Sequence, residues 1–346
     1  MENGSLDELP RVGFSIGEPG GIGPQLLLSF LEREGWQEHF IPIVFAHRRV
    51  IERWRSFLGL SSLRYHAIRH IKNAQPQHIN LLECTEGGEF TIGHRSEVGG
   101  RIARAALQEG VRAASAGEID LLVTLPVDKS TFYSEKTFPY RGHTAYFRAI
   151  FPQANILMMM IGEKLRVGLL TEHVPLCEVK AHLVTEKVKE VLRIFHSSLV
   201  MDFAIPTPRI GVLGLNPHAG DGGVIGNEEL ELLAPAIEAL TQEGMMIGGP
   251  FSPDGFFASH QYEKVDGVLA MYHDQGLIPF KLLAGWEGFQ FTAGLDFVRT
   301  APDHGVAYDI VGKEEADISS LSAAIWEGLG ILRRRKNWKE IAHPPS

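Results

Sequence analysis

Three apolar runs in this chain end on a histidine in the same way. Val167-Gly168-Leu169-Leu170-Thr171-Glu172 leads to His173, Val212-Leu213-Gly214-Leu215-Asn216-Pro217 to His218, and Val268-Leu269-Ala270-Met271-Tyr272 to His273. If each run is a strand, each imidazole stands just past its carboxyl end, the edge of an open α/β sheet where ligands bind. Three imidazoles converging there can hold a divalent cation and leave positions open for substrate or water. All-nitrogen ligation favours zinc, cobalt or nickel over magnesium, a preference that substrate oxygens can alter. The chain has 15 histidines, so three unrelated loop histidines also explain the residues. The repeated strand-end context is what sets these apart.

Several loops suit an anion. Gly142-His143-Thr144 precedes the helical stretch Ala145–Ile150, and amides at a helix start beside a hydroxyl and an imidazole suit phosphate or carboxylate. On sequence alone an ordinary threonine N-cap is the simpler account. Lys281, among apolar residues beyond His273, is a candidate base, a phosphate clamp or a solvated charge. Arg299, at the end of another apolar run, has the fork that grips phosphate in bidentate fashion; a surface ion pair is the alternative. The glycines of Asn216-Pro217-His218-Ala219-Gly220-Asp221-Gly222-Gly223 permit close backbone approach to a ligand. Gly17-Glu18-Pro19-Gly20-Gly21-Ile22-Gly23-Pro24 follows the first strand but matches neither G-x-G-x-x-G nor the P-loop, so no cofactor pocket can be placed.

The elements that must position these groups alternate. Val12–Ile16, Ile41–Phe45, Leu121–Thr124, Ile156–Ile161, Val167–Leu170, Ile210–Leu215 and Val268–Met271 read as buried strands. Amphipathic stretches such as Ile102–Ala116, Thr185–Phe195 and Glu228–Leu240 read as helices between them. This pattern predicts parallel sheets covered by helices on both faces. Only Gly162-Glu163-Lys164-Leu165-Arg166 separates two of the strands, too little for a crossover, so that pair is expected to be a hairpin. A length of 346 residues suits two cores. The expected division is an α/β domain of residues 1–149 with 292–346, and an inserted α/β domain of residues 150–291.

A hydrophobic content of 44% with 22% charged residues argues against disorder. The formal charge of −9, without a basic block, argues against nucleic acid as a partner. No apolar run is long enough to span a bilayer. Two cysteines, Cys84 and Cys177, and a polar stretch from Met1 to Pro10 point to the reducing cytoplasm.

Thr124-Leu125-Pro126-Val127-Asp128-Lys129, Gly142-His143-Thr144, Asn216-Pro217-His218-Ala219-Gly220-Asp221-Gly222-Gly223, Met271-Tyr272-His273-Asp274-Gln275-Gly276-Leu277 and Arg299-Thr300-Ala301-Pro302-Asp303-His304-Gly305 resemble the 4-hydroxythreonine-4-phosphate dehydrogenase family of pyridoxal phosphate biosynthesis. The matches run in the family's order from Gly17 to about Asp317. The resemblance implies a homodimer of subunits with two α/β/α domains, similar in fold to isocitrate and isopropylmalate dehydrogenases. It implies an active site in the interdomain cleft that draws on both subunits. It carries metal ligation to His173, His218 and His273, and substrate contacts to His143, Thr144, Lys281 and Arg299, with Lys281 also the candidate catalytic base. A further contact, usually asparagine, falls on Gln290. The implied cofactors are NAD or NADP and one divalent cation, zinc, cobalt or magnesium. The implied chemistry oxidises a phosphorylated hydroxy acid to a β-keto acid that loses carbon dioxide, giving 3-amino-2-oxopropyl phosphate.

Four departures bear on the substrate more than on the chemistry: Gln290, Ala145 after Gly-His-Thr, Asp296 in place of proline, and the Glu18 and Gly20 loop. The longer amide of Gln290 keeps D-threonate or D-erythronate 4-phosphate open as substrates. A three-histidine zinc phosphohydrolase, or a metal-binding protein without activity, are the readings from other classes.

Overall fold

The computed structural model describes residues 9–33, 35–313 and 316–342. The chain divides into two compact units, one of residues 1–150 and 296–329, the other of residues 151–295 and 330–346. Its strands are β1 (Arg11–Ser15), β2 (Ile41–Ala46), β3 (Tyr65–Ile68), β4 (Ile79–Glu83), β5 (Leu121–Thr124) and β6 (Leu157–Ile161). They continue with β7 (Arg166–Leu169), β8 (Arg209–Leu213), β9 (Met246–Phe251), β10 (Gly267–Ala270), β11 (Phe289–Ala293) and β12 (Val298–Pro302).

In the first unit the strand order is β3-β4-β2-β1-β5-β12, all parallel. Strands β2 and β5 are buried along their whole length, as parallel strands covered on both faces must be. The helix Glu97–Ser115 buries Ile102, Ala106, Leu107 and Val111 on one stripe. Ser96 caps it by accepting from the Gly99 amide at 3.0 Å, which stabilises its first turn by about 1 kcal/mol.

In the second unit the order is β11-β6-β7-β10-β8-β9. The hairpin reading holds: β6 pairs antiparallel with β7, and β11 lies antiparallel on the other side of β6. Strands β7, β10, β8 and β9 are parallel, so the ends of β7, β10 and β8 share one edge. Residues 330–342 of the helix Ser319–Ala342 belong to this unit. Arg335 anchors them, its Nε donating to buried Asp202 at 2.5 Å and its Nη1 to the Leu295 carbonyl at 2.9 Å. Removing one partner would leave a buried charge uncompensated, a loss of about 3–5 kcal/mol.

Among the described residues no helix is long and apolar enough to cross a membrane. Cys84 and Cys177 are both free thiols.

Candidate active site

His173 follows β7, His273 is the first residue of the helix His273–Ala284 that leaves β10, and His218 follows β8. Backbone and side-chain bonds tie the first two segments together. The Leu170 amide donates to the Ala270 carbonyl at 2.9 Å, and the Thr171 hydroxyl to the Met271 carbonyl at 2.7 Å. Gly276 lets the helix press onto the sheet, because a Cβ there would sit 2.8 Å from Val167 and 2.9 Å from Leu169. The rings of His173 and His273 consequently lie 5.6 Å apart, centroid to centroid. Nδ1 of His273 is 2.6 Å from the Asp274 carboxylate. A carboxylate on one ring nitrogen leaves the other as acceptor, the arrangement that suits a metal-ligating imidazole.

His218 is placed differently. It opens a turn in which His218, Ala219, Gly220, Asp221 and Gly222 all have positive φ, from 44° to 80°. Left-handed backbone costs a non-glycine residue about 1–2 kcal/mol, and His218, Ala219 and Asp221 each bear that cost. Among the described residues, no group of three or more His, Cys, Asp or Glu side chains is arranged to hold a metal ion. The chain therefore brings two of the three expected imidazoles together and leaves exposed His218 outside their group.

The anion candidates His143, Thr144 and Arg299 belong to the first unit. Arg299 lies in β12 and is fully buried. Its Nε and Nη2 donate to the Thr124 hydroxyl at 3.1 and 2.5 Å, and its guanidinium stands 5.2 Å above the Phe147 ring. A surface ion pair is thus excluded for it. His143 begins the helix His143–Ile150, with Thr144 buried as the second residue, so Thr144 is not that helix's N-cap. Nε2 of His143 is buried without a hydrogen-bond partner. Burial, then the charges of Arg299 and Lys129, hold the imidazole well below its usual pKa and hence neutral. A neutral imidazole between two cations, with one buried nitrogen unsatisfied, is chemically suited to an anion. Lys129 ends the Thr-Leu-Pro-Val-Asp-Lys motif, and its place beside His143 was not legible from spacing.

Sequence reasoning named Glu18 only as a departure in the first loop and gave the carboxyl no role of its own. Only 1% exposed, it follows β1, accepts from the Gly20 amide at 3.2 Å and lies 3.4 Å from the Thr131 hydroxyl. A Cβ on Gly99 would come within 2.0 Å of its Oε1, so glycine there makes room for the carboxyl. Burial, assisted by Asp128, pushes its pKa up to about 7 against the Gly20 bond. Burial also acts on Asp128, but bonds from Ser130, Arg95 and Tyr308 outweigh it and hold that carboxyl below its ordinary value. The signal available in the sequence was an acidic residue inside a glycine-rich strand-to-helix turn.

Lys281 is exposed and lies two turns along the helix from His273, about 12 Å in axial rise. Gln290 is half-buried in β11, opposite Met160.

The fold is that of a mixed α/β protein, with the candidate histidines just past the carboxyl ends of parallel strands. The model of the family described as pyridoxal phosphate biosynthetic protein PdxA matches residues 38–327. A 4-hydroxythreonine-4-phosphate dehydrogenase of Bacteroides thetaiotaomicron is 37% identical over 331 residues, covering 95% of this chain and 90% of that relative. The crystal structure of the Klebsiella pneumoniae 4-hydroxythreonine-4-phosphate dehydrogenase superposes with a TM-score of 0.79 at 29% identity, covering 93% of this chain and 99% of that one. An isocitrate dehydrogenase from Methylococcus capsulatus, 12% identical with a TM-score of 0.50 over 96% of this chain and 89% of its own, shares the fold alone. The chain belongs to the PdxA family.

Proposed function

We propose that this chain is a metal-dependent, NAD- or NADP-linked dehydrogenase of 4-hydroxythreonine 4-phosphate, acting in the cytoplasm in pyridoxal phosphate biosynthesis. The observation that carries the reading is the His173–His273 pair with Asp274 on the second ring. His173, His218 and His273 would hold the divalent cation. When bound, zinc, cobalt or magnesium supplies Lewis acidity toward the hydroxyl being oxidised, and the nicotinamide accepts the hydride.

The chain's own residues do the rest. Arg299, His143 and Thr144 bind the phosphate, with Lys129 adding charge. Lys281 contacts the substrate and takes the hydroxyl proton, directly or through water. The product β-keto acid then loses carbon dioxide. Gln290 presents its amide to the substrate and sets which carbon skeleton fits.

A homodimer would complete the site. Ile278, Leu282 and Trp286, on and just after the helix that carries His273 and Lys281, are 61%, 81% and 75% exposed. Val224, just after the His218 turn, is 82% exposed. Large apolar side chains exposed on the site-bearing segments suit coverage by a second copy, which would let histidines of the two copies share one ion.

The test is NADH or NADPH absorbance with 4-hydroxythreonine 4-phosphate, D-threonate 4-phosphate and D-erythronate 4-phosphate in parallel. The reading expects fastest turnover of the first, lost on chelation and restored by metal. Release of inorganic phosphate without reduced cofactor would establish the hydrolase instead.

A further inference from the structure

The left-handed turn that presents His218 has backbone bonds of its own, from the Ala219 amide to the Asn216 carbonyl at 3.1 Å and from the Ile225 amide to the Gly220 carbonyl at 3.0 Å. Further support comes from two adjacent carboxylates, Glu228 and Glu229, of which Glu229 begins a π-helical turn, Glu229–Leu233, ahead of the helix Ala234–Gln242. Glu229 is 2% exposed. Its Oε1 accepts from the Asn216 backbone amide at 2.7 Å, and its Oε2 accepts from Asn216 Nδ2 at 2.9 Å. The same Nδ2 donates to Glu228 Oε2 at 2.7 Å. Three glycines close around these groups. A Cβ on Gly220 would stand 2.7 Å from Glu229 Oε2, one on Gly214 3.2 Å from Glu229 Oε1, and one on Gly226 2.4 Å from Asn216 Nδ2. The carboxylate of Glu229 is therefore enclosed beneath the turn.

The tethers share a register. Asn216 stands two residues before His218, as Thr171 stands before His173 and Met271 before His273. Thr171 is bonded to Met271, as described above. The Met271 amide donates to Gln275 Oε1 at 2.6 Å, and Gln275 Nε2 donates to the Gly214 carbonyl at 2.7 Å, at the end of β8. Lys180, on the short helix Leu176–His182 just past His173, forms an ion pair with Glu228. Each histidine-bearing segment is thus bonded to the other two by side chains that are not themselves candidate ligands.

We propose that Glu229 is the positioning residue of the metal site: by clamping Asn216 beneath Gly220 it holds the left-handed turn from which His218 meets the cation, and Gln275 sets the spacing of that strand end from His273. The proposal rests on the reading of the three histidines as ligands. Partners in the layer behind a metal ligand fix its ring, and losing one weakens metal affinity by about 10- to 100-fold. Gln in place of Glu229 keeps the shape of the side chain but turns an amide NH2 toward the NH2 of Asn216, so one of the two bonds must break.

The test uses the full-length protein loaded with Co2+, whose visible bands report ligand geometry, together with hydrogen exchange measured without metal. Glu229→Gln should raise the Co2+ dissociation constant about 10- to 100-fold at unchanged stoichiometry and shift the visible bands. It should also speed exchange at residues 216–225 at least about tenfold while the amides of β7 and β10 keep their protection. Gln275→Ala should weaken Co2+ likewise without speeding exchange in the turn, and it carries the test if Glu229→Gln fails to fold. Wild-type exchange at residues 216–225 in Glu229→Gln, or wild-type affinity and bands in both variants, would overturn the proposal. Failure of the wild-type chain to bind Co2+ would sink the ligand reading, and the exchange arm alone would then decide whether Glu229 holds the turn.

Discussion

The two groups of candidate site residues are prepared in opposite ways. In the first unit, Arg299 is fully buried, fixed by Thr124 and stacked over Phe147, and His143 presents a buried nitrogen with nothing bonded to it. These candidate residues all belong to the first unit. In the second unit, two imidazoles are in place and the third stands on a left-handed turn outside their group. A phosphate can be gripped by groups the fold has already desolvated, whereas a cation needs ligands that converge and remain accessible. Rigidity serves the first task; controlled presentation serves the second.

The largest expected effect is in the second unit. His218→Ala should lower turnover about a thousandfold or more, with loss of bound metal and retention of fold, because several kcal/mol of transition-state charge stabilisation go with the ion. Metal content by elemental analysis beside kcat checks this, and a metal-stripped variant with full activity would break the comparison.

In the first unit, Arg299→Lys should raise the substrate KM by about 10- to 100-fold with a smaller change in kcat. A point charge cannot reproduce a charge-assisted bidentate grip worth about 1.5–3 kcal/mol. Lysine is the informative replacement, since alanine at a fully buried arginine would also cost stability through Thr124. Steady-state kinetics decide it, and an unchanged KM removes Arg299 from the phosphate.

The third effect is on stability. Glu18 titrates at about 7 in the folded chain against an ordinary value of 4.5. Below pH 4.5 both states carry the proton. As pH rises toward 7 the unfolded chain releases it while the folded chain keeps it, so stability falls, by up to about 3 kcal/mol, and levels off above pH 7. Buried neutral His143 acts in the opposite sense below about pH 6.5, so the decline is read as the stability of the wild type minus that of Glu18→Gln, by denaturant unfolding from pH 5 to 8. A difference between wild type and Glu18→Gln that stays constant across that range would mean the carboxyl is not held protonated.

The smallest effect is expected at Gln290. Gln290→Asn should shift the ratio of kcat/KM between 4-hydroxythreonine 4-phosphate and the two phosphosugar acids by about tenfold, the low end of what one methylene is worth in a pocket. Parallel progress curves would show it, and an unmoved ratio would place the amide away from the substrate.

Much of the scaffold was legible because buried parallel strands are nearly pure apolar runs. Strands β1, β2, β5, β7, β8 and β10 all stand where such runs predicted them, and the short gap between β6 and β7, four residues in the structure, pointed to their hairpin. Strand β9 was not legible: Met246–Phe251 contains two glycines and a proline and lies half-buried at an edge, where a strand needs no continuous apolar run. At the site, the histidines were visible because each ends a strand. Their separation into a pair and an outlier was not, since it depends on the positive φ of His218 and on tethers from Gln275 and Glu229 that lie far from it in sequence. The burial of Glu18 was hidden for a similar reason: it depends on Gly99, from another helix.

The most direct test of this account is X-ray absorption at the metal edge of the intact, metal-loaded protein in solution, which counts imidazoles on the ion. The account predicts three histidine ligands in the wild type and no histidine-bound ion retained in His218→Ala. Two or fewer imidazoles in the wild type, or a spectrum unchanged by His218→Ala, would contradict it.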